Sequence, residues 1–370
     1  MQASASSVNS PDYPPSWFDR FSGWVEGLPV PAWAAYLLLG ATCAAALIAF
    51  QAGQGAYPSG GFDPWHIFLG AQPVLFLALM HYLNRAAERA LARFRPVLEQ
   101  DEAGYERVRY RLTTMPAGSA RVATLAGVAA FFLFLGPSVF QVRLAPFQLS
   151  IAGGSLQAFG LSPTPASGWA ALVIFLLMWM VIGVLVLHTA QQLSEIRRLY
   201  AGVDSIDPFQ PEPLYAFSSV TSLTAVLLLL IIYGWMWALV RVAREAPGAL
   251  PLAGPIGVNI FFAALSVFLF VWPLWGAHRL LDTAKKQALG NNAGYFRILV
   301  GRLHDAIEQS ELAGVDDWQR VLGALELERA RLERLATWPW RPEASRGLLA
   351  ALVVPLVIWA IQFALERLLA

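Results

Sequence analysis

The chain has 370 residues, of which 57% are hydrophobic and only 14% charged, with a mean hydropathy of +0.52 and a formal net charge of +1. Soluble domains run at about 45–50% apolar and about 25% charged, so this composition excludes an ordinary soluble globular protein. The near balance of 26 basic against 25 acidic residues argues against a nucleic acid partner. A single cysteine, Cys43, excludes an intramolecular disulfide and leaves the redox compartment open.

In chain order, residues 1–15 are rich in Ser, Pro and Asn and predict a disordered tail. Residues 16–30 predict a short amphipathic helix. Ser16 stands three residues before Asp19, a capping pattern, and Trp17, Phe18, Phe21, Trp24, Val25 and Leu28 share one face. Such a helix lies in the membrane interface or packs on the protein's own polar surface. Seven apolar stretches follow, at 31–51, 65–83, 122–142, 168–187, 216–240, 256–277 and 347–365. Each has about the 17–25 residues needed to cross a hydrocarbon core, and the first has no basic region before it that would mark a cleaved signal.

Between the third and fourth stretches, Phe147, Leu149 and Ile151 alternate with polar residues. Gly153 and Gly154 then supply a turn before Leu156 and Ala158 resume the alternation, which predicts a short β-hairpin. The second, fourth and sixth stretches run on into charged helical sequence. The predicted ends are Phe94 before Pro96, Tyr200 before Gly202, and Leu289 before Gly290-Asn291-Asn292. Beyond the last of these, Phe296, Leu299, Leu303 and Ile307 form one apolar stripe. Trp318, Val321, Leu322, Leu325, Leu332 and Leu335 form another, and the two predict a helical hairpin. Trp338-Pro339-Trp340-Arg341-Pro342 ends the second helix as an elbow before the last apolar stretch.

The basic residues orient the chain. Of 26 Lys and Arg, 22 fall in alternate connecting segments and four in the others. Because basic residues near the ends of spans stay on the cytoplasmic side, the N-terminus is predicted inside and, after seven crossings, the C-terminus outside. The expected fold is thus an all-α integral membrane protein with seven transmembrane helices, a cytoplasmic helical bundle and a short outer β-hairpin. Its predicted parts are a tail over 1–15, an interfacial helix over 16–30, a six-span core with helix extensions over 31–277, a hairpin domain over 278–344 and the seventh span over 345–370. Heavy use of Arg, Ala, Leu and Gly, with only two lysines, is the composition of a GC-rich gene and associates the chain with a bacterial inner membrane.

Residues of catalytic type form one regular pattern. His81, His188 and His278 stand at the inner ends of the second, fourth and sixth spans, with Glu88, Glu195 and Asp282 on the helix continuations. Neutral imidazoles beside carboxylates are ligands for zinc or another divalent metal, and such a cofactor would make the protein a metal-dependent membrane hydrolase. The alternative is that imidazole and carboxylate sit at an interface as amphipathic and charged residues normally do. Seven-span hydrolases of the ceramidase and progestin/adiponectin-receptor kind share the N-inside topology, but they place a histidine pair on the last span, and this last span has none.

For transport, the polar residues within or near the spans are neutral: Gln72, Gln141, Asn259 and Gln362, with His66 near an outer end. Ion coupling normally uses ionisable groups at mid-membrane. Pro73, Pro137, Pro273 and Pro355 are candidate kinks, and Ser218, Thr221, Ser222 and Thr224 put hydroxyls on the inner end of the fifth span, as a mouth or as packing contacts. The layout resembles that of insect gustatory and odorant receptor channels, which also have seven spans, an inside N-terminus, projecting helices that form an assembly domain, and a last helix split by a break. Gln362-Phe363 matches their last span, whereas Pro355 and Leu356 stand where that pattern has Thr-Tyr. The resemblance is one of plan. The favoured reading is a non-enzymatic membrane protein whose cytoplasmic domain assembles a homo-oligomer or binds a cytosolic protein partner, with a channel or signal-transducing membrane part.

Overall fold

A computed structural model of the chain describes residues 12–55, 64–98, 100–134, 165–203, 206–207, 209, 211–245, 253–308, 315–340 and 342–354. The regular elements among the described residues are helices. The helices are α1 (Trp17–Glu26), α2 (Ala32–Gly53), α3 (Pro64–Phe94), α4 (Glu102–Thr113), α5 (Ala117–Phe134), α6 (Pro165–Ala201), α7 (Ser218–Glu245), α8 (Ala253–Val271), α9 (Trp275–Glu308) and α10 (Val315–Arg334), followed by α11 over 342–354. The expected outer β-hairpin lies outside the described residues, and no strand occurs among them beyond an isolated bridge between Pro15 and Pro116.

Five helical stretches among the described residues are long and apolar enough to cross a membrane: Ala32–Gly53, Pro64–Val97, Leu172–Ala201, Glu212–Met236 and Ile260–Glu308. A shorter apolar helix covers Ala117–Leu133. The protein is therefore an all-α, multi-pass membrane protein with a further helical region outside the membrane. The expected third and seventh spans each run partly beyond the described residues.

Three helices are too long for the bilayer alone. At 1.5 Å per residue, the 31 residues of α3, 37 of α6 and 34 of α9 reach about 46, 55 and 51 Å, against a hydrocarbon core of about 30 Å. α3 and α6 end as the sequence predicts, at Phe94 and Ala201. α9 does not stop at Gly290-Asn291-Asn292 but continues to Glu308. Asn292 is buried there and donates to Leu325 O and to Glu328 Oε2 on α10, at 3.0 and 2.8 Å. A partner helix thus satisfies the amide that would otherwise compete with the backbone.

The membrane part contains three helix pairs, one of them α7 on α8. α2 packs on α3, and α5 packs on α6, while α3 also crosses α6. The α5–α6 crossing depends on glycine. A Cβ on Gly183 would lie 2.2 Å from Ala123 O, and one on Gly127 2.2 Å from Trp179 O, so only the absence of side chains lets the backbones meet. A second apolar cluster lies where the long helices emerge. Phe94, Tyr200 and Phe217 meet there edge-on or tilted at 5.3–5.9 Å between centroids, and the buried Tyr200 hydroxyl donates to Leu214 O at 2.6 Å.

The tail predicted to be disordered is anchored over its described end. Asp12 pairs with Arg111 at 2.7 Å, Tyr13 donates to Thr114 O at 2.9 Å, and Ala117 N donates to Pro14 O at 3.0 Å. Asp12, Tyr13 and Pro14 thus run as a strap along the α4–α5 corner. Residues 1–11 lie outside the described residues.

Candidate functional site

The residues that build the polar end of the bundle come from helices far apart in sequence. At its N-terminal corner, Ser16 and Asp19 form the predicted capping box of α1. Asp19 also reaches the α4–α5 corner: its Oδ2 accepts from Ser16 N, Ser16 Oγ and Met115 N at 3.0, 2.6 and 3.1 Å. Burial raises the Asp19 carboxyl above the usual carboxylate range in spite of those donors. Burial, with Tyr110 beside it, pushes the Tyr13 phenol up to about 12. α1 buries Phe18 and Val25 and leaves Trp24 exposed, so it packs on the protein with one side and presents an indole with the other.

The three histidines occupy three separate environments. His81 lies 3.5 Å from Glu26 Oε1 and edge-on to Tyr36, while Glu26 is bridged to Arg85 at 2.8 Å. His188 is buried and donates from Nε2 to Asn84 Oδ1 at 2.7 Å. Asn84 Nδ2 donates to Thr113 O at 2.9 Å, and Gln192 Nε2 donates to Asn84 Oδ1 and to Leu112 O, both at 3.2 Å. α3, α6 and the end of α4 are thereby clamped by one polar knot. His278 donates from Nδ1 to Thr337 O at 3.0 Å and stacks on Trp338 at 4.1 Å with 8° between planes.

The carboxylates proposed as co-ligands are engaged with basic residues on their own helices. Glu88 pairs with Arg85 at 3.3 Å, Glu195 with Arg198 at 2.5 Å and Asp282 with Lys286 at 2.6 Å. No group of three or more His, Cys, Asp or Glu residues able to hold a metal ion occurs among the described residues, which argues against the metal-dependent hydrolase. The equal depth of the histidines along three helices was real as a sequence pattern, but each ring faces a different neighbour.

The elbow after α10 is a stack of rings. Trp338 lies against His278 on one side and Trp340 on the other, at 4.6 Å and 8°, and Trp340 stacks on Phe270 of α8 at 5.6 Å and 17°. Arg341 lies outside the described residues. Lys285 closes the other side of the turn, donating from Nζ to Glu333 O and Leu335 O at 2.7 and 2.9 Å, where α10 leaves carbonyls without helical partners. The end of α10 is thus tied to α9 through His278 and Lys285, and to α8 through Trp340 on Phe270. The last helix is tied in turn to α7, because Ser222 Oγ donates to Ala344 O at 2.7 Å and the Tyr233 hydroxyl to Ala351 O at 3.1 Å.

The other hydroxyls of that row bond their own helix or the turn before it: Ser218 Oγ to Tyr215 O, Thr221 Oγ1 to Ser218 O and Thr224 Oγ1 to Val220 O. Of the candidate kinks, Pro73 is accommodated within α3 and Pro273 sits in a tight turn between α8 and α9, while Pro137 and Pro355 lie outside the described residues. Gln72 is fully buried, and neither of its amide atoms is hydrogen-bonded among the described residues. Sequence reasoning missed Asn84 and Gln192. The usable signal was the spacing of Gln192 four residues after His188, which puts both on one face of α6. No protein-family model, no curated protein and no solved structure matches this chain.

Proposed function

We propose that the protein is a seven-span, N-inside membrane protein of the bacterial inner membrane. Its cytoplasmic α9–α10 hairpin joins a second copy of the chain and passes that assembly to the spans through the Trp338–Trp340 elbow. The observation that carries this reading is the state of the hairpin. In α9 after Asn292, and in α10 before Leu332, no described side chain is buried, and Tyr295, Ile298, Ile307, Val321 and Leu327 are exposed. An apolar surface of this kind outside the lipid marks an interaction site. Charges of both signs flank it, with Arg297, Arg302, Asp305 and Glu308 on α9 and Asp317, Arg320, Glu326 and Arg329 on α10, so two copies of the same face complement each other.

The Lys and Arg asymmetry supports the orientation, and the ring stack from His278 to Phe270 supports the coupling. A membrane part that conducts or transmits a signal is the role such coupling serves. The test is the size of the full chain in mild detergent, by light scattering, beside the Ile298→Glu/Leu327→Glu variant. The expected result is an oligomer that the variant converts to a monomer of unchanged helix content. A monomeric wild-type chain, or a variant of unchanged size, overturns the assembly reading; a cytosolic partner of other sequence would then be the occupant to seek.

A further inference from the structure

The space between the α2–α3 pair and the α5–α6 pair is a groove of about 720 Å³, lined almost wholly by apolar atoms, and within the size range of sites that hold small molecules. Its walls include Cys43, Val74, Leu77, Leu125 and Leu177, and at its polar end stand Trp17, Thr124 and Arg121. The groove itself is apolar, with a basic residue at its rim. Its apolar part lies among helices that cross the membrane, and its charged end lies where α1 and the start of α5 meet, beside the polar knot.

Arg85, Arg111 and Arg198 each hold a carboxylate, whereas Arg121 has no carboxylate partner among the described residues and bonds only weakly to its own helix, from Nε to Ala117 O at 3.4 Å. The Trp17 indole beside it is fixed in place, donating to Thr124 Oγ1 at 3.2 Å. The Arg121 side chain is exposed at the rim of the groove, where its planar guanidinium fork fits phosphate. Tryptophan at the same level is the residue type found at headgroup depth.

We propose that the groove holds an acyl chain of an anionic phospholipid, with the lipid phosphate on Arg121 and the glycerol region against Trp17. This site is independent of the hairpin assembly, since none of its lining residues belongs to α9 or α10. The occupant is a lipid rather than free phosphate because the apolar wall offers a phosphate ion alone nothing to bury.

The experiment uses the full chain, stripped of lipid in mild detergent and titrated with phosphatidylglycerol or phosphatidylcholine of identical acyl chains, with retained lipids counted by native mass spectrometry. Phosphatidylglycerol is expected to be retained about fivefold more strongly, the factor that one basic residue near an anionic surface supplies. Arg121→Gln should remove that preference, and Arg121→Lys should keep most of it. Leu177→Trp, which fills the groove from a side chain already half exposed, should lower retention of both lipids without changing helix content. Equal retention of the two lipids by the wild-type chain, a preference that survives in Arg121→Gln, or displacement of phosphatidylglycerol by excess inorganic phosphate would each overturn the proposal.

Discussion

Replacing Asn84 by leucine keeps the volume of the side chain and removes the amide at the centre of the polar knot. It strands the Nε2–H of His188, which is 2% exposed, and the carbonyl of Thr113, while Gln192 keeps its bond to Leu112 O. A buried polar group left unpaired costs about 1–3 kcal/mol in soluble proteins, and interhelical hydrogen bonds in bilayers average about 0.6 kcal/mol. Two stranded groups therefore bracket the loss between about 1 and 6 kcal/mol, and the partial exposure of Thr113 places the expectation at about 2–3 kcal/mol. The assay is reversible denaturant unfolding in mixed micelles of Asn84→Leu, His188→Leu and the double variant. If the knot works as described, the double variant is more stable than the sum of the single losses implies, by about 1 kcal/mol or more. Losses that add to within about 0.3–0.5 kcal/mol would mean that His188 and Asn84 do not act together, and the reasoning would fail.

The α5–α6 crossing makes an equally sharp test with its own control. Gly183→Ala must drive the helices apart from a 2.2 Å approach and should cost about 1–3 kcal/mol, whereas Gly118→Ala on the same pair of helices meets nothing within 4 Å and should be neutral or slightly stabilising; equal effects would sink the close-packing argument. At the elbow, Trp340→Ala removes two stacked contacts worth about 1–3 kcal/mol together. Amide exchange over Val315–Arg334 should accelerate by about tenfold or more. Unchanged exchange there would show that the stack does not hold the hairpin.

The sequence features that the structure bears out are those that depend on residues within a single helix. The membrane class, five of the seven expected spans, the Ser16–Asp19 cap and the ends of α3 and α6 follow from hydropathy, spacing and a proline or glycine close by. Gly290-Asn291-Asn292 was misread because its stop signal is local, whereas the bond that overrides it comes from Leu325 and Glu328, more than 30 residues away.

Tertiary packing decided which faces meet. His81, His188 and His278 share a depth that hydropathy can reveal, but the rotation of each helix about its axis sends one ring toward Glu26, one toward Asn84 and one onto Trp338. The strap at Asp12–Arg111 and the corner at Asp19–Met115 join positions 99 and 96 residues apart. The groove ending at Arg121 is walled by residues of α1, α2, α3, α5 and α6, which only the packed fold brings together. A span is specified by the free energy of moving its own residues into lipid, which neighbours in sequence determine. A site is specified by the contacts between spans, and those depend on side chains brought together from opposite parts of the chain.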